Sequence, residues 1–253
     1  MNSDQLDGLN LTRDLFLGGK IALWQGAQGY RAGIDPVLLA AFIEPKSSQK
    51  ILDLGCGVGA ISLCLLAHHP NVCVTGLENV QQFVTLAERN AQENNFSDRF
   101  IPILGSVADV PSDITPNSFD LVISNPPYAA AGTTNPSPDF HKQSSHVESE
   151  ASLDKWINVA SKALKHKGTI SLIHRADRLD HLLAILRLSF GEIIIHPLWP
   201  KTGKQAKRVL VRAKKGSNSP TRLTAGTVLH TNNGSYTEGI NYILQGKSLL
   251  TIT

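Results

Sequence analysis

The sequence predicts an α/β protein built on a doubly wound, seven-stranded, mostly parallel sheet, preceded by a small hairpin and helix. Three observations predict it. From Lys50 onward, short apolar runs alternate with helix-length stretches, the pattern of a parallel sheet covered on both faces. The first run, residues 51–54, feeds a glycine-rich turn, Gly55-Cys56-Gly57-Val58-Gly59, and the second ends on an acid, Glu78. In such folds ligands bind beyond the carboxyl ends of the strands, where strand order reverses.

Ahead of the sheet, residues 15–23 read as a hairpin with Gly18-Gly19 as a two-residue turn. Gln28-Gly29-Tyr30-Arg31-Ala32-Gly33-Ile34 follows, then Asp35-Pro36 and an apolar run to Phe42. Asp35 suits an N-cap and Pro36 the first helical turn. Strands are expected at 51–54, 72–77, 100–104, 119–124, 169–173, 191–197 and 206–213, the last two as an antiparallel pair. Helices are expected at 60–67, 80–94, 153–164 and 179–188, with a weaker one at 238–244. Residues 129–149 are rich in Ser, Pro, Gly and Ala and read as a long loop, hence a mobile or functional one. His141 and His146 within it are expected to be solvated. The divisions read along the chain are 1–48 (hairpin and helix against the cofactor site), 49–215 (core) and 216–253 (extension).

Composition narrows the function classes. Hydrophobic content of 42% and charged content of 18% are those of a water-soluble globular chain. No apolar run approaches the roughly 20 residues that cross a bilayer, and the N-terminus lacks the basic and apolar regions of a signal peptide. Cys56, Cys64 and Cys73 lack metal-ligand spacing and read as core fillers in a reducing compartment. No metal is expected, and a cytoplasmic location is. The net charge of +3 is small, but it is unevenly spread. Residues 193–237 contain no Asp or Glu, yet carry Lys201, Lys204, Lys207, Arg208, Arg212, Lys214, Lys215 and Arg222. Such clustering suits an anionic partner such as RNA.

Two motifs carry chemistry. Glycines in the 55–59 turn let backbone approach a ligand, and a carboxylate at Glu78 can accept hydrogen bonds from two ribose hydroxyls. Gly55, Gly57 and Ala60 also fit a dinucleotide pattern, so the glycines alone leave the cofactor open. Asp53 just ahead of them, and the lack of a second phosphate-binding loop, favour a nucleoside-type cofactor. The second motif is Asn125-Pro126-Pro127-Tyr128, directly after a strand. Its prolines stiffen the backbone, displaying one amide and one aromatic face.

Asp53-Leu-Gly-Cys-Gly-Val-Gly59, then Glu78, then Asn125-Pro-Pro-Tyr128, resembles the class I S-adenosylmethionine-dependent amino-methyltransferases, which have a Rossmann-like fold. The segment from Gly29 to Asp35 resembles, within that class, the bacterial valine-tRNA adenine-N6 methyltransferases. The resemblance implies S-adenosylmethionine as cofactor, held by Arg31, Gly33, Asp53, Gly55, Gly57, Gly59, Glu78 and Asn125, with adenine near Ser106. It implies that Asn125, Pro126 and Tyr128 are catalytic. It further implies methyl transfer to the six-amino group of an adenine in tRNA, the adenine just 3′ of a valine-tRNA anticodon. Pro127, Tyr128, Lys201, Lys204, Lys207 and Arg208 would then contact the RNA. Glutamine-amide methylation of release factor, whose enzymes share Asn-Pro-Pro-Tyr, and DNA adenine methylation are the alternative readings. The first usually needs an N-terminal helical domain and the second a separate target-recognition domain, and the sequence offers neither.

Overall fold

The computed structural model describes residues 10–29, 31–126 and 152–252. Tyr30, Pro127, Tyr128, His141, His146 and the whole of the predicted long loop lie outside the described residues. The chain opens with β1 (Leu11–Phe16) and β2 (Ile21–Gly26), an antiparallel hairpin. Phe16 pairs with Ile21, so the connection is the four-residue Leu17–Lys20 loop and not a two-residue glycine turn. The physical reason is tertiary: Leu17 is buried in the core at φ 52°, and Lys20 Nζ donates to Gly246 O at 2.6 Å. Helix α1 (Asp35–Phe42) follows. Ile34 and not Asp35 is its N-cap, and the Asp35 carboxylate instead accepts from Arg208 Nε at 3.2 Å.

The core then alternates β3 (Lys50–Leu54), α2 (Ala60–His68), β4 (Cys73–Glu78), α3 (Gln81–Glu93), β5 (Phe100–Leu104) and β6 (Phe119–Ser124). Next come α4 (Leu153–Ala163), β7 (Leu164–Arg175), α5 (Leu179–Leu186), β8 (Phe190–Trp199) and β9 (Arg208–Lys215). Two two-residue strands, β10 (Arg222–Leu223) and β11 (Thr227–Val228), and α6 (Glu238–Leu244) end the described chain. The seven longer strands are those the sequence predicts, and the two short ones bring the sheet to nine, ordered β10-β8-β9-β7-β6-β3-β4-β5 with β11 also on β8. Strand β9 runs antiparallel to β7 and β8, while β3 to β7 pair in parallel. Strand β7 is twelve residues long, starting at Leu164 across a register shift opposite β6.

Alternate residues of the strands supply two cores, one per face. Ile51, Ile123, Ile173 and Leu210 join the side covered by α1, α2 and α6. Leu52, Leu54, Val122, Leu172 and Val211 join the side covered by α4 and α5. Cys56 and Cys64 are buried as expected, whereas Cys73, at the solvent-facing start of β4, is exposed.

Candidate active site

The order of the sheet reverses at β3: the chain continues to β4 on one side and later returns to β6 on the other. A crevice therefore opens beyond the carboxyl end of β3, flanked by Glu78 ending β4 and Ser124 ending β6. The turn from β3 to α2 crosses this crevice. Its Gly55 and Cys56 amides both donate to Leu77 O, at 2.8 and 3.0 Å, which ties the turn to β4. Glycine is required at Gly59, where φ is 88° and a Cβ would lie 2.6 Å from the Phe100 ring. Gly57 also has positive φ, but a Cβ there would meet nothing within 4 Å, so this part of the turn faces open space.

Two carboxylates underlie the turn. Glu78 Oε2 accepts from Gly57 N at 2.8 Å, and its Oε1 accepts from Asn79 N and Val80 N at 2.9 and 3.0 Å. Asp53 is fully buried; its Oδ2 accepts from Ser62 Oγ at 2.6 Å, while Oδ1 has no partner. Burial pushes its pKa up to about 7, the Ser62 hydrogen bond opposes the rise, and the Glu78 charge adds to it. An unpartnered buried carboxylate oxygen beside a second carboxylate favours a cation. The ammonium of a methionine moiety is such a cation, so the residues fit the implied cofactor. Ser106, after β5, sits in a tight turn whose Oγ accepts from Ala108 N at 3.1 Å.

Asn125 leaves β6 half-buried and Pro126 is buried. Ser124 fixes their position: its Oγ donates to Leu54 O at 2.6 Å and accepts from Trp156 Nε1 at 2.8 Å. The same indole covers Gly55, where a Cβ would stand 2.7 Å from Trp156 Cζ2. One tryptophan on α4 thus joins the glycine turn to the residue before Asn125. Sequence reading misses the Ser124–Trp156 contact, because it spans 32 positions.

The hairpin is held on the site by side-chain amides that sequence reading also missed. Asn90 on α3 is fully buried. Its Oδ1 accepts from Trp24 N at 2.7 Å, and its Nδ2 donates to Trp24 O and to Val58 O of the glycine turn at 3.0 and 2.9 Å. Asn94, one helical turn later, pairs in the same way with Ala22 N and O at 2.9 and 2.7 Å. The i, i+4 spacing puts both amides on one helix face, matched to alternate residues of β2. The Arg31 guanidinium binds Asp14 Oδ2 and Thr12 Oγ1 on β1, at 2.7 and 2.9 Å. Gln25, nearly fully buried, donates to Asp14 and accepts from Ala32 N at 2.8 Å, fixing the approach to Gly33.

The lysine-bearing connector lies on the same edge of the sheet. Strand β8 runs parallel to β7, so its carboxyl end and residues 200–207 lie toward the edge that carries Asn125. Ala176 N donates to Lys207 O at 3.1 Å, closing the connector onto the end of β7. Lys204 and Lys207 are exposed; Lys201 Nζ donates to Asn232 O at 3.1 Å, and Arg208 pairs with Asp35. No helix among the described residues is long and apolar enough to cross a membrane.

The chain is similar to known proteins. A family model described as the methyltransferase small domain matches residues 33–195. A protein of Actinobacillus succinogenes named tRNA1(Val) (adenine(37)-N6)-methyltransferase is 28% identical over 189 residues, covering 73% of this chain and 77% of its own. A protein of the same name from Aeromonas hydrophila is 26% identical over 212 residues, covering 82% and 86%. The crystal structure of a protein described as a predicted O-methyltransferase from Agrobacterium tumefaciens superposes with a TM-score of 0.71 at 26% identity, covering 85% of this chain and 98% of that one.

Proposed function

Because the chain belongs to the methyltransferase small domain family and uses S-adenosylmethionine, we propose that it methylates the six-amino group of an adenine in tRNA. The adenine is the one just 3′ of the anticodon in a valine tRNA, the target named for its relatives. The observation that carries the reading is the bond from Ser124 Oγ to Leu54 O, which sets Asn125 beside the glycine turn.

When bound, the cofactor supplies an electrophilic methyl group on a positively charged sulfur. The side chains divide the remaining work. Asp53 would face the cofactor's ammonium, and the Glu78 carboxylate would hold its ribose. The backbone at Gly33, Gly55, Gly57 and Gly59 allows close approach. Arg31 anchors the Gly33 segment to β1, and Ser106 borders the adenine.

An aromatic amine is a poor nucleophile because its lone pair is delocalised into the ring. Asn125 Oδ1 and the Pro126 carbonyl each accept one of its N–H bonds, drawing the nitrogen toward tetrahedral geometry. Positive charge grows on that nitrogen in the transition state, so both acceptors bind it more tightly there than in the ground state. The Pro126-Pro127 pair fixes the acceptors in advance, which lowers the entropy cost of orientation. Tyr128 stacks on the base, worth about 1–3 kcal/mol. No general base is needed, since the methylated ammonium loses its proton to water. The target must be unstacked to enter, as anticodon-loop bases are. Lys201, Lys204, Lys207 and Arg208 then hold phosphates, which makes affinity salt-dependent.

Asn125→Ala tests the reading. Methyl transfer to tRNA should fall by about a hundredfold or more, with cofactor affinity within a few-fold. A parallel loss of cofactor binding would show that Asn125 serves the cofactor and not the amine.

A further inference from the structure

Two loops are fastened together beyond the end of β8. Strand β11 pairs Thr227 with Leu198 and Val228 with Trp199. The ladder continues past the strands, with Leu229 N donating to Trp199 O at 2.8 Å and His230 N to Pro200 O at 3.1 Å. Lys201 Nζ closes the junction on Asn232 O. The turn from Thr231 to Ser235 is exposed but ordered: Gly234 N donates to Thr231 O at 3.0 Å, and Ser235 N to Asn233 Oδ1 at 3.0 Å. At its base the His230 and Tyr236 rings stack at 4.8 Å.

The chemistry of this junction is uniform. One loop carries Lys201, Lys204 and Lys207 and the other Thr231, Asn232, Asn233 and Ser235, joined by Lys201, and residues 193–237 contribute no acid. The acids nearby are engaged: Asp35 with Arg208, Asp177 with Arg175 and Glu238 with the Tyr242 hydroxyl. Cations beside short amides and hydroxyls match the phosphates and 2′-hydroxyls that line the shallow minor groove of an RNA helix.

Its distance from the amine clamp follows from the sheet. Ser124 lies in register, through Leu172 and Val211, with Ile195 of β8. Trp199 is four residues farther along, so the junction stands about 13 Å beyond Ser124 and about 14 Å to the side, roughly 20 Å away. That is too far to touch the target base.

We propose that this junction docks a double-helical stem of the RNA substrate while the target base occupies the clamp. The proposal rests on the RNA reading above and adds which part of the RNA is held, and by which turn. Residues 230–236 thereby select a folded RNA over a bare strand that carries the same target base.

The test compares the unaltered protein with an Asn232→Asp, Ser235→Asp double variant on two RNAs. One is a full-length valine tRNA transcript and the other an unpaired oligonucleotide with the same anticodon-loop sequence. We expect kcat/KM to fall at least about tenfold more on the transcript than on the oligonucleotide, with kcat at saturating transcript retained. Equal cofactor affinity for the two proteins verifies the fold, and an Asn232→Ala, Ser235→Ala double variant in the same exposed turn repeats the test without new acids. Equal losses on both RNAs would overturn the stem contact alone. Methylation of neither RNA by the unaltered protein would overturn the RNA reading and this proposal together. Competition by polyglutamate as effective as by an unrelated RNA duplex would overturn it in favour of an acidic protein partner.

Discussion

Asp53→Asn is the most informative perturbation of the cofactor site. With its pKa pushed by burial from an ordinary 3.8 to about 7, the carboxyl holds its proton in the folded protein at pH values where the unfolded chain has lost it. Folding then takes up a proton, so stability is lost as pH rises between those two values and levels off above pH 7. Between pH 5 and pH 8 this group alone costs the protein about 2.5 kcal/mol, since a tenfold difference in proton affinity is worth about 1.4 kcal/mol. The asparagine carries no such dependence. Its own packing, including a new N–H group where Oδ1 had no partner, changes the variant's stability by a similar amount at every pH and cancels from the comparison. Urea unfolding of both proteins without cofactor, at pH 5 and pH 8, should therefore show the variant gaining about 2.5 kcal/mol relative to the parent. Parallel stability profiles would refute the reasoning. Cofactor affinity should move oppositely, falling about tenfold or more because the ammonium loses a charged partner.

Two further substitutions test the scaffold around the crevice. Asn90→Leu leaves Trp24 N, Trp24 O and Val58 O without their side-chain partners; urea unfolding should show a loss of about 2–4 kcal/mol, with a weakened cofactor, and a loss under about 0.5 kcal/mol would count against the bridge. Glu78→Gln sets an N–H group against the Gly57 amide or the Asn79 and Val80 amides. Its cofactor Kd, measured by calorimetry, should rise about 10- to 100-fold, and an unchanged value would remove Glu78 from the ribose role.

Much of the fold was legible because its signals are local. Runs such as Phe119–Ser124 and Lys50–Leu54 announce buried strands by composition, and the observed ends fall within a residue or two of the predicted ones. The glycine turn was legible for the same reason, as backbone geometry at Gly55, Gly57 and Gly59 is written in the glycines themselves. What escaped depends on distant partners. Asp35 reads as a cap until Arg208, 173 positions later, takes its carboxylate. Gly18-Gly19 reads as a tight turn until burial of Leu17 widens the loop. The Ser124–Trp156 and Asn90–Val58 bonds define how the site is held, yet each spans 32 positions and matches no periodicity. Cys73 differs in another way: it opens β4 at the solvent-facing end of the strand, paired with Lys50.

The central claim is that an adenine amine in tRNA receives the methyl group. Its most direct test supplies methyl-labelled S-adenosylmethionine and the protein to total tRNA, release factor and DNA in parallel, then digests each product and separates its labelled components. The account predicts label in N6-methyladenosine from tRNA alone, abolished by Asn125→Ala. Label in methylglutamine from the release factor, or in DNA with none in tRNA, would contradict it.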